Sequence, residues 1–445
     1  MPANLSRLPG GRPEMSRRQT LPFGLWSTNS ESQILDPVFP GPRVDSRVIV
    51  SLFLLLFLGV ADNQMIAALL PSLVDSLHIT VARAGLLVVV YSVAAALAAL
   101  LSGTLSDHYG RRRFLWWGAA VFAVASWAAS RTATFGGLML ARAVTGLAAG
   151  TLSTCAIVFA GDWFAYEVRG RAIGLISSAY FAAPIVGLPL AGLIADRFGW
   201  RRVFVFFAAL AVVVTGIAWA LPKKENHMRP GSQKLRTTLN TLGSFLGRAD
   251  LAAALGIAGL VSGGLVGFIT YIGQWLSDRF SIATGRITLV FMVGGLASLA
   301  GAPLGGILSD RWGKRAVSIA SNIILAFAVA LLPVLHWGVL LFAVFGITGL
   351  AAAFRQGPLT ALMTELVPPN QRGSFIALRN IASQFGIGAV AFLGGVLYQR
   401  RGYGAVTTLC AAMTAMVAIL LATHIVEPHP EGNPPLGAEP PGVGG

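Results

Sequence analysis

The chain has 445 residues, of which 55% are hydrophobic and only 11% charged, and its mean hydropathy is +0.70. A soluble protein of that composition would expose apolar patches that aggregate, so its apolar runs of about 20 residues read as membrane-spanning helices. The formal net charge of +15 does not point to nucleic acid, because the basic residues cluster in short connections between apolar runs, as expected of cytoplasmic loops. Cys155 and Cys410 both fall inside apolar runs, which implies neither a disulfide framework nor a metal site.

Residues 1–47, rich in Pro, Gly, Ser and Arg, read as a disordered cytoplasmic tail. Arg43 and Arg47 resemble the charged start of a signal peptide, but the apolar run to Leu70 is long for that role and is expected to stay as the first helix. Twelve helices are predicted at 48–70, 84–105, 114–131, 135–160, 171–195, 202–221, 251–273, 284–308, 315–334, 337–362, 373–397 and 404–425. They divide into a bundle over 48–221 and a bundle over 251–426, joined by a basic cytoplasmic linker, 222–250. Residues 427–445 form a second disordered tail, rich in Pro and Gly. The bias of Lys and Arg places both termini in the cytoplasm of a cell (plasma or inner) membrane, although the basic "RFGWRR" at 197–202 falls outside.

The stretch "GTLSDHYGRRR" at 103–113 has a near copy, "GGILSDRWGKR", at 305–315. Gly103 and Gly306 lie 203 positions apart, as do Asp107 and Asp310. The same offset takes Asp162 to Glu365, Arg169 to Arg372, Gly192 to Gly395 and Gly199 to Gly402. A repeat of this length implies two six-helix bundles related by an axis along the membrane normal.

The first copy matches, at every fixed position, the loop signature G-x-L-x-D-x-x-G-R-[KR]-[KR] of the major facilitator superfamily. "RAVTGLAAG" at 142–150 matches that family's R-x-x-x-G-x-x-x-G signature in helix 4. The chain therefore resembles that family over residues 48–425. "PIVGLPLAGLIADRFGWRRVF" at 184–204 is similar to helix 5 and the next loop of its drug:proton antiporter branch. Ala183-Pro184 and Ala191-Gly192 stand where that branch often has Gly-Pro and Gly-Gly pairs.

The resemblance implies alternating access by rocking of the two halves. Gly103 and Gly110 would permit close helix approach and a tight turn, and Asp107 would face the positive N-terminus of helix 11 near Gly373. The resemblance also implies that Arg111 bridges Asp107 to Asp162. Gly306, Asp310, Lys314 and Glu365 would repeat the arrangement against helix 5, giving each half one side of a gate. Gly146 and Gly150, with Pro184 and Gly187, read as helix-packing positions.

A nucleotide-driven pump or an embedded enzyme finds no motif here: "LSDRWGKR" lacks the first Gly and the Ser/Thr of a P-loop, and the six His are scattered. No cofactor or metal is implied. The expected partners are a small-molecule substrate, protons and the lipid bilayer, with a monomer as the working unit. The functional expectation is proton-coupled efflux of a drug or metabolite. Uptake of an organic anion, with Arg355 and Arg379 as excess cations, is the alternative transport reading, and a transport-inactive sensor is the alternative of a different class. Arg355 and Arg379 also fit simple snorkelling to the headgroups. Tyr91, Tyr180, Tyr271, Gln274, Asn380 and Gln384 are candidate cavity residues.

Asp62 is the one acidic residue expected deep within a span, and such carboxylates face a bundle interior or a wet cavity. It lies at the same depth as Arg142, about 11–12 Å from the outer helix ends at 1.5 Å per residue. The resemblance places both helices at a central cavity, so the two are the expected proton-coupling pair.

Overall fold

A computed structural model describes residues 45–222, 247–368 and 372–425, and of Gly103, Asp107 and Gly373 it describes the backbone alone. The two expected tails and most of the expected linker lie outside the described residues. Twelve helices make up the described chain. The first half holds α1 (Ser46–Leu77), α2 (Val81–Tyr109), α3 (Arg111–Arg131), α4 (Phe135–Trp163), a broken α5 and α6 (Trp200–Ala220). The second half holds α7 (Ala249–Phe280), α8 (Thr284–Trp312), α9 (Lys314–Leu331), α10 (Val339–Glu365), α11 (Arg372–Arg401) and α12 (Tyr403–His424). Eleven are long and apolar enough to cross a membrane. The exception, α3, opens with three arginines and carries Trp116, Trp117 and Trp127 in its 21 residues.

Most helices outrun the apolar segments that announced them. Asp45 caps α1 by accepting from the amides of Arg47 and Val48, so helix begins at Ser46, inside the expected tail. At 32 residues, α1 is about 48 Å long against a hydrocarbon core of about 30 Å. The helices predicted to end at 105 and 308 run on, so that residues 106–109 are the last turn of α2 and 309–312 the last turn of α8. The turns themselves need only Gly110 and Gly313, at φ 92° and 87°, where a β-carbon would be strained.

These backbone specials extend the repeat across both halves. Gly199 and Gly402 have φ of 81° and 75°, and the left-handed helix ends His78 and Ser281 have φ of 50° and 51°. Each of these pairs is separated by the 203 positions found in the sequence.

Packing follows the same duplication. Within the halves α2 packs on α4 and α8 on α10, while α3 packs on α6 and α9 on α12; between them α2 meets α11, α5 meets α8 and α1 meets α7. Small residues make the tightest of these contacts. A β-carbon on Gly146 would lie 2.5 Å from the Tyr91 carbonyl oxygen, and one on Gly150 would lie 2.3 Å from that of Ala95. In the second half a β-carbon on Gly349 would lie 2.2 Å from the Gly294 oxygen.

Helix α5 runs as Tyr166–Ser177, Ala179–Ala182, a π-helical Ala183–Gly187 and Leu188–Phe198. Pro184 and Pro189 bracket the wide turn. Neither donates an N–H, and each ring displaces the carbonyl four residues back, so the Leu188 amide bonds to the Ala183 oxygen one residue further on. Near the face opposite the described chain ends, the Gly285 amide donates to Asp196 Oδ2 at 2.6 Å. This carboxylate from α5 caps α8, whose own N-cap residue, Ala283, has no capping side chain.

Gly150→Leu is expected to lower the thermal unfolding midpoint and the yield of purified protein, because α4 cannot keep its distance from α2. Gly161→Ala, where a β-carbon would meet nothing within 4 Å, serves as the control. Equal midpoints for the two variants in detergent would contradict this account of the α2–α4 contact.

Candidate functional site

Three helices converge on one ion pair. Arg142 Nη1 on α4 lies 2.5 Å from Asp62 Oδ2 on α1, and both side chains are 0% exposed. The Arg142 guanidinium carbon stands 4.3 Å from the ring centroid of Tyr91 on α2, a cation–π distance. The Tyr91 hydroxyl donates to the Gly59 oxygen on α1 at 2.9 Å. Close backbone contacts fix these heights: Gly146 rests on Tyr91, Ala149 sits against Gly59, and Gly187 of α5 sits against Ala61.

The pair is enclosed, where the sequence placed it beside a central cavity. Asp62 Oδ1 and Arg142 Nε and Nη2 are buried with no hydrogen-bond partner among the described residues. A buried pair of this kind contributes little net stability, since desolvation offsets the attraction, but removing one member costs about 3–5 kcal/mol. At the corresponding positions the second half has Leu265, Gly294 and Phe345, and the Phe345 ring lies against Gly294. The ion pair and the tyrosine stacked on it thus belong to one half.

At the face where α1 begins, Arg111 Nη1 lies 2.5 Å from Asp162 Oδ2, joining the start of α3 to the end of α4. Lys314 Nζ and Glu365 Oε1, also 2.5 Å apart, repeat this between α9 and α10. Both pairs are partly exposed, which limits each to about 0–1 kcal/mol. The Asp107 side chain, expected to face the start of α11, lies outside what is described. Asp310 is exposed and has no hydrogen bond or ion pair among the described residues. Gly306 makes no close approach, since a β-carbon there would meet nothing within 4 Å.

The expected substrate residues separate into two groups. Arg379 lines a cavity between α7, α10 and α11, with Ser262, Gln356, Thr360 and Ser383. Tyr180 on α5 is 49% exposed and is not part of the lining. The others do not line this cavity. Tyr91 is committed to the ion pair. Tyr271 is fully buried, donates to the Ala391 oxygen and fills the space beside Gly85 of the first half. Gln274 Nε2 donates to Asp278 Oδ1 at 2.8 Å, and Tyr398 donates to Asp278 Oδ2 at 2.6 Å.

Arg355 is buried rather than snorkelling. Its Nη1 donates to Asn322 Oδ1 at 2.5 Å and its Nη2 to the Val261 oxygen at 3.3 Å. Asn380 is exposed, and neither it nor Gln384 lines the cavity. Sequence reasoning passed over Asn322, Asp278 and Asp196. The last two lie in helical turns beyond the expected span ends, and Asn322 carried no motif.

A family model described as the Major Facilitator Superfamily matches residues 52–282 and 255–444. The "Uncharacterized MFS-type transporter YbcL" of Bacillus subtilis is 25% identical over 84% of this chain and 94% of its own length. The "Chloramphenicol resistance protein" of Streptomyces lividans is 26% identical over 82% and 94%. The "Hexuronate transporter" of Bacillus subtilis is 23% identical over 60% and 65%. Among solved structures, that of a "D-xylose-proton symporter" superposes with a TM-score of 0.70 over 85% of this chain and 98% of its own, at 17% identity. That likeness concerns the fold.

The ion pair makes a test of its own. Arg142→Leu leaves Asp62 buried and alone, so its unfolding midpoint in detergent is expected to fall far more than that of Asp62→Leu/Arg142→Leu, which removes both charges. A double variant no more stable than Arg142→Leu would mean that the pair's enclosure is not what the singles disturb.

Proposed function

We propose that this chain, which belongs to the Major Facilitator Superfamily, is a proton-driven carrier whose coupling site is the Asp62–Arg142 pair. The protein is a multi-pass membrane transporter of small molecules and not an enzyme. The observation that carries the coupling reading is a carboxylate–guanidinium pair with 0% exposure, present in one half of a duplicated fold and replaced by Leu265 and Phe345 in the other. Ion pairs of this kind are costly within membranes and mark proton relays.

In the enclosed state Arg142 balances the charge of Asp62. The second half packs on α1 through α7, so rocking of the halves shifts α1 relative to α4 within the first half and admits water to one face of the pair. A carboxylate parted from its guanidinium in a low-dielectric site is more stable neutral, so it takes up a proton. When the pair closes again, Arg142 displaces that proton toward the other side. One proton thus moves through Asp62 for each turn of the cycle, with the solute carried by the same rocking motion.

The face carrying the described chain ends is assigned to the cytoplasm from the loop bias of Lys and Arg. The resemblance of α5 to the antiporter branch supports efflux, as does the relative named for chloramphenicol resistance. A second reading, uptake of an organic anion, is favoured by Arg379 in the cavity and by the relative named for hexuronate. The Arg111–Asp162 and Lys314–Glu365 pairs, with Asp107 and Asp310, form the cytoplasmic gate in this reading, and the working unit is a monomer.

Asp62→Asn is expected to fold and to exchange substrate at equilibrium, yet fail to accumulate it against a pH gradient in proteoliposomes. Full pH-driven accumulation by a folded Asp62→Asn protein would place coupling elsewhere. Asp107→Asn is expected to slow transport while leaving substrate affinity within about twofold, because the lost charge acts on a helix N-terminus worth only about 0.3–2 kcal/mol. A parallel loss of affinity would assign Asp107 to binding instead of gating. A protein showing no solute flux under any gradient would be a sensor.

A further inference from the structure

We infer that the cavity between α7, α10 and α11 holds the charged group of the transported solute, and that this solute is a small carboxylate with an apolar body, anchored by Arg379. The inference rests on the transporter reading above and adds the solute's charge to it.

The charge balance of the spans leads there. Arg142 is answered by Asp62, and Arg355 by the Asn322 amide oxygen and the Val261 carbonyl. Arg379 has no hydrogen bond or ion pair among the described residues. None of the described residues lining its cavity is acidic. Of the acids near the opposite face, Asp196 is occupied by the Gly285 amide and Asp278 by Gln274 and Tyr398, while Asp75 is exposed at the end of α1. A partly buried guanidinium with no counter-ion among the described residues attracts an anion more strongly than it would in bulk water. It repels a cation, and a neutral solute leaves it unanswered.

The rest of the lining completes the match. The side chains of Ser262 and Gln356 make no hydrogen bond among the described residues, so both are available to donate to a carboxylate. Thr360 and Ser383 differ, since their hydroxyls already donate to the Gln356 and Ala258 oxygens. Leu359 and Met363 complete the lining of a cavity of about 40 Å³, which has room for the charged group alone and leaves the apolar body of the solute outside it. In the first half the position of Arg379 is taken by Ile176 and that of Arg355 by Leu152. The cationic site is therefore particular to the second half, opposite the ion pair of the first.

The full-length protein in phosphatidylcholine nanodiscs is titrated with benzoate, benzamide and benzylamine, and with hexanoate and hexanamide, while thermal unfolding is followed by tryptophan fluorescence. The carboxylates are expected to raise the midpoint in proportion to occupancy, and the amides and the amine to leave it unmoved. Arg379→Gln should abolish the response without lowering the midpoint of the unliganded protein, and Arg379→Lys should retain it with affinity about tenfold weaker. Equal shifts from benzamide or benzylamine, or an Arg379→Gln protein that still answers to carboxylates, would overturn the proposal. So would carboxylates that do nothing while added phosphatidylglycerol stabilises through Arg379, because the anion would then be a lipid phosphate. Counterflow of labelled solutes in proteoliposomes keeps the two readings apart. Movement of the amides or the amine alone would remove the anion assignment and leave the transporter standing. A carboxylate that binds through Arg379 and never moves would do the reverse.

Discussion

The backbone of α4 lies directly on that of α2, with the Tyr91 and Ala95 carbonyls in the places where Gly146 and Gly150 would carry side chains. This contact fixes the register between the two helices, and the candidate site hangs from it. Arg142, one turn before Gly146, is carried to the height of the Tyr91 ring and stacks on it. Ala149 against Gly59 brings α1 to the same assembly, so Asp62 meets the guanidinium. A bulkier residue at either glycine would move the arginine relative to its two partners at once. The stacking and the ion pair follow from backbone geometry before any charge is considered.

The second half keeps this geometry and discards the chemistry. Gly349 rests on the Gly294 carbonyl as Gly146 rests on that of Tyr91, but the Tyr, the Asp and the Arg have become Gly294, Leu265 and Phe345. The Phe345 ring occupies the side that Gly294 leaves open. What the second half adds lies nearer the chain-end face: a buried arginine held by Asn322, and a cavity arginine without a described partner. Duplication supplied two equal frames, and the charged groups were then divided between them, a balanced pair in one and an excess of positive charge in the other.

How much of this the sequence displays depends on the scale of the feature. The twelve helices, the six-and-six division and the repeat are legible because apolar runs and glycine turns are local signals. Arg142 and Asp62 were readable as partners from their shared depth together with the family resemblance that sets both helices at the centre, since charges are rare in spans. The helix ends were not legible, because hydrophobicity stops at the membrane whereas hydrogen bonding continues, as the last turns of α2 and α7 show. That is why Asp278 was passed over as a residue beyond a span. The direction of a polar side chain was equally hidden. Tyr271, Gln274 and Asn380 share the composition of cavity residues, yet packing turns the first two into the interior, and Asn380 is exposed outside the cavity. Arg355, expected either to meet an anionic substrate or to snorkel to the headgroups, instead found Asn322, a partner with no motif to announce it.

The π-helical turn of α5 touches both halves through residues that leave no slack. A β-carbon on Gly187 would lie 3.0 Å from that of Ala61, the neighbour of Asp62. Three residues earlier, Pro184 and Ile185 press on Gly295 of α8, where an added β-carbon would lie 3.1 and 2.7 Å from them. This five-residue segment is thus a mechanical link between the helix that carries the carboxylate and the opposite bundle. Its hydrogen bonds reach one residue further than those of an α-helix and are fewer around the two prolines, so it bends at lower cost than the helix on either side. An axial shift of α1 at Asp62 bears on this soft joint through Ala61 and Gly187, and the joint passes it to Gly295 of α8 as a change of angle. The stiff helices then act as lever arms, and the prolines of α5 set the position of the pivot.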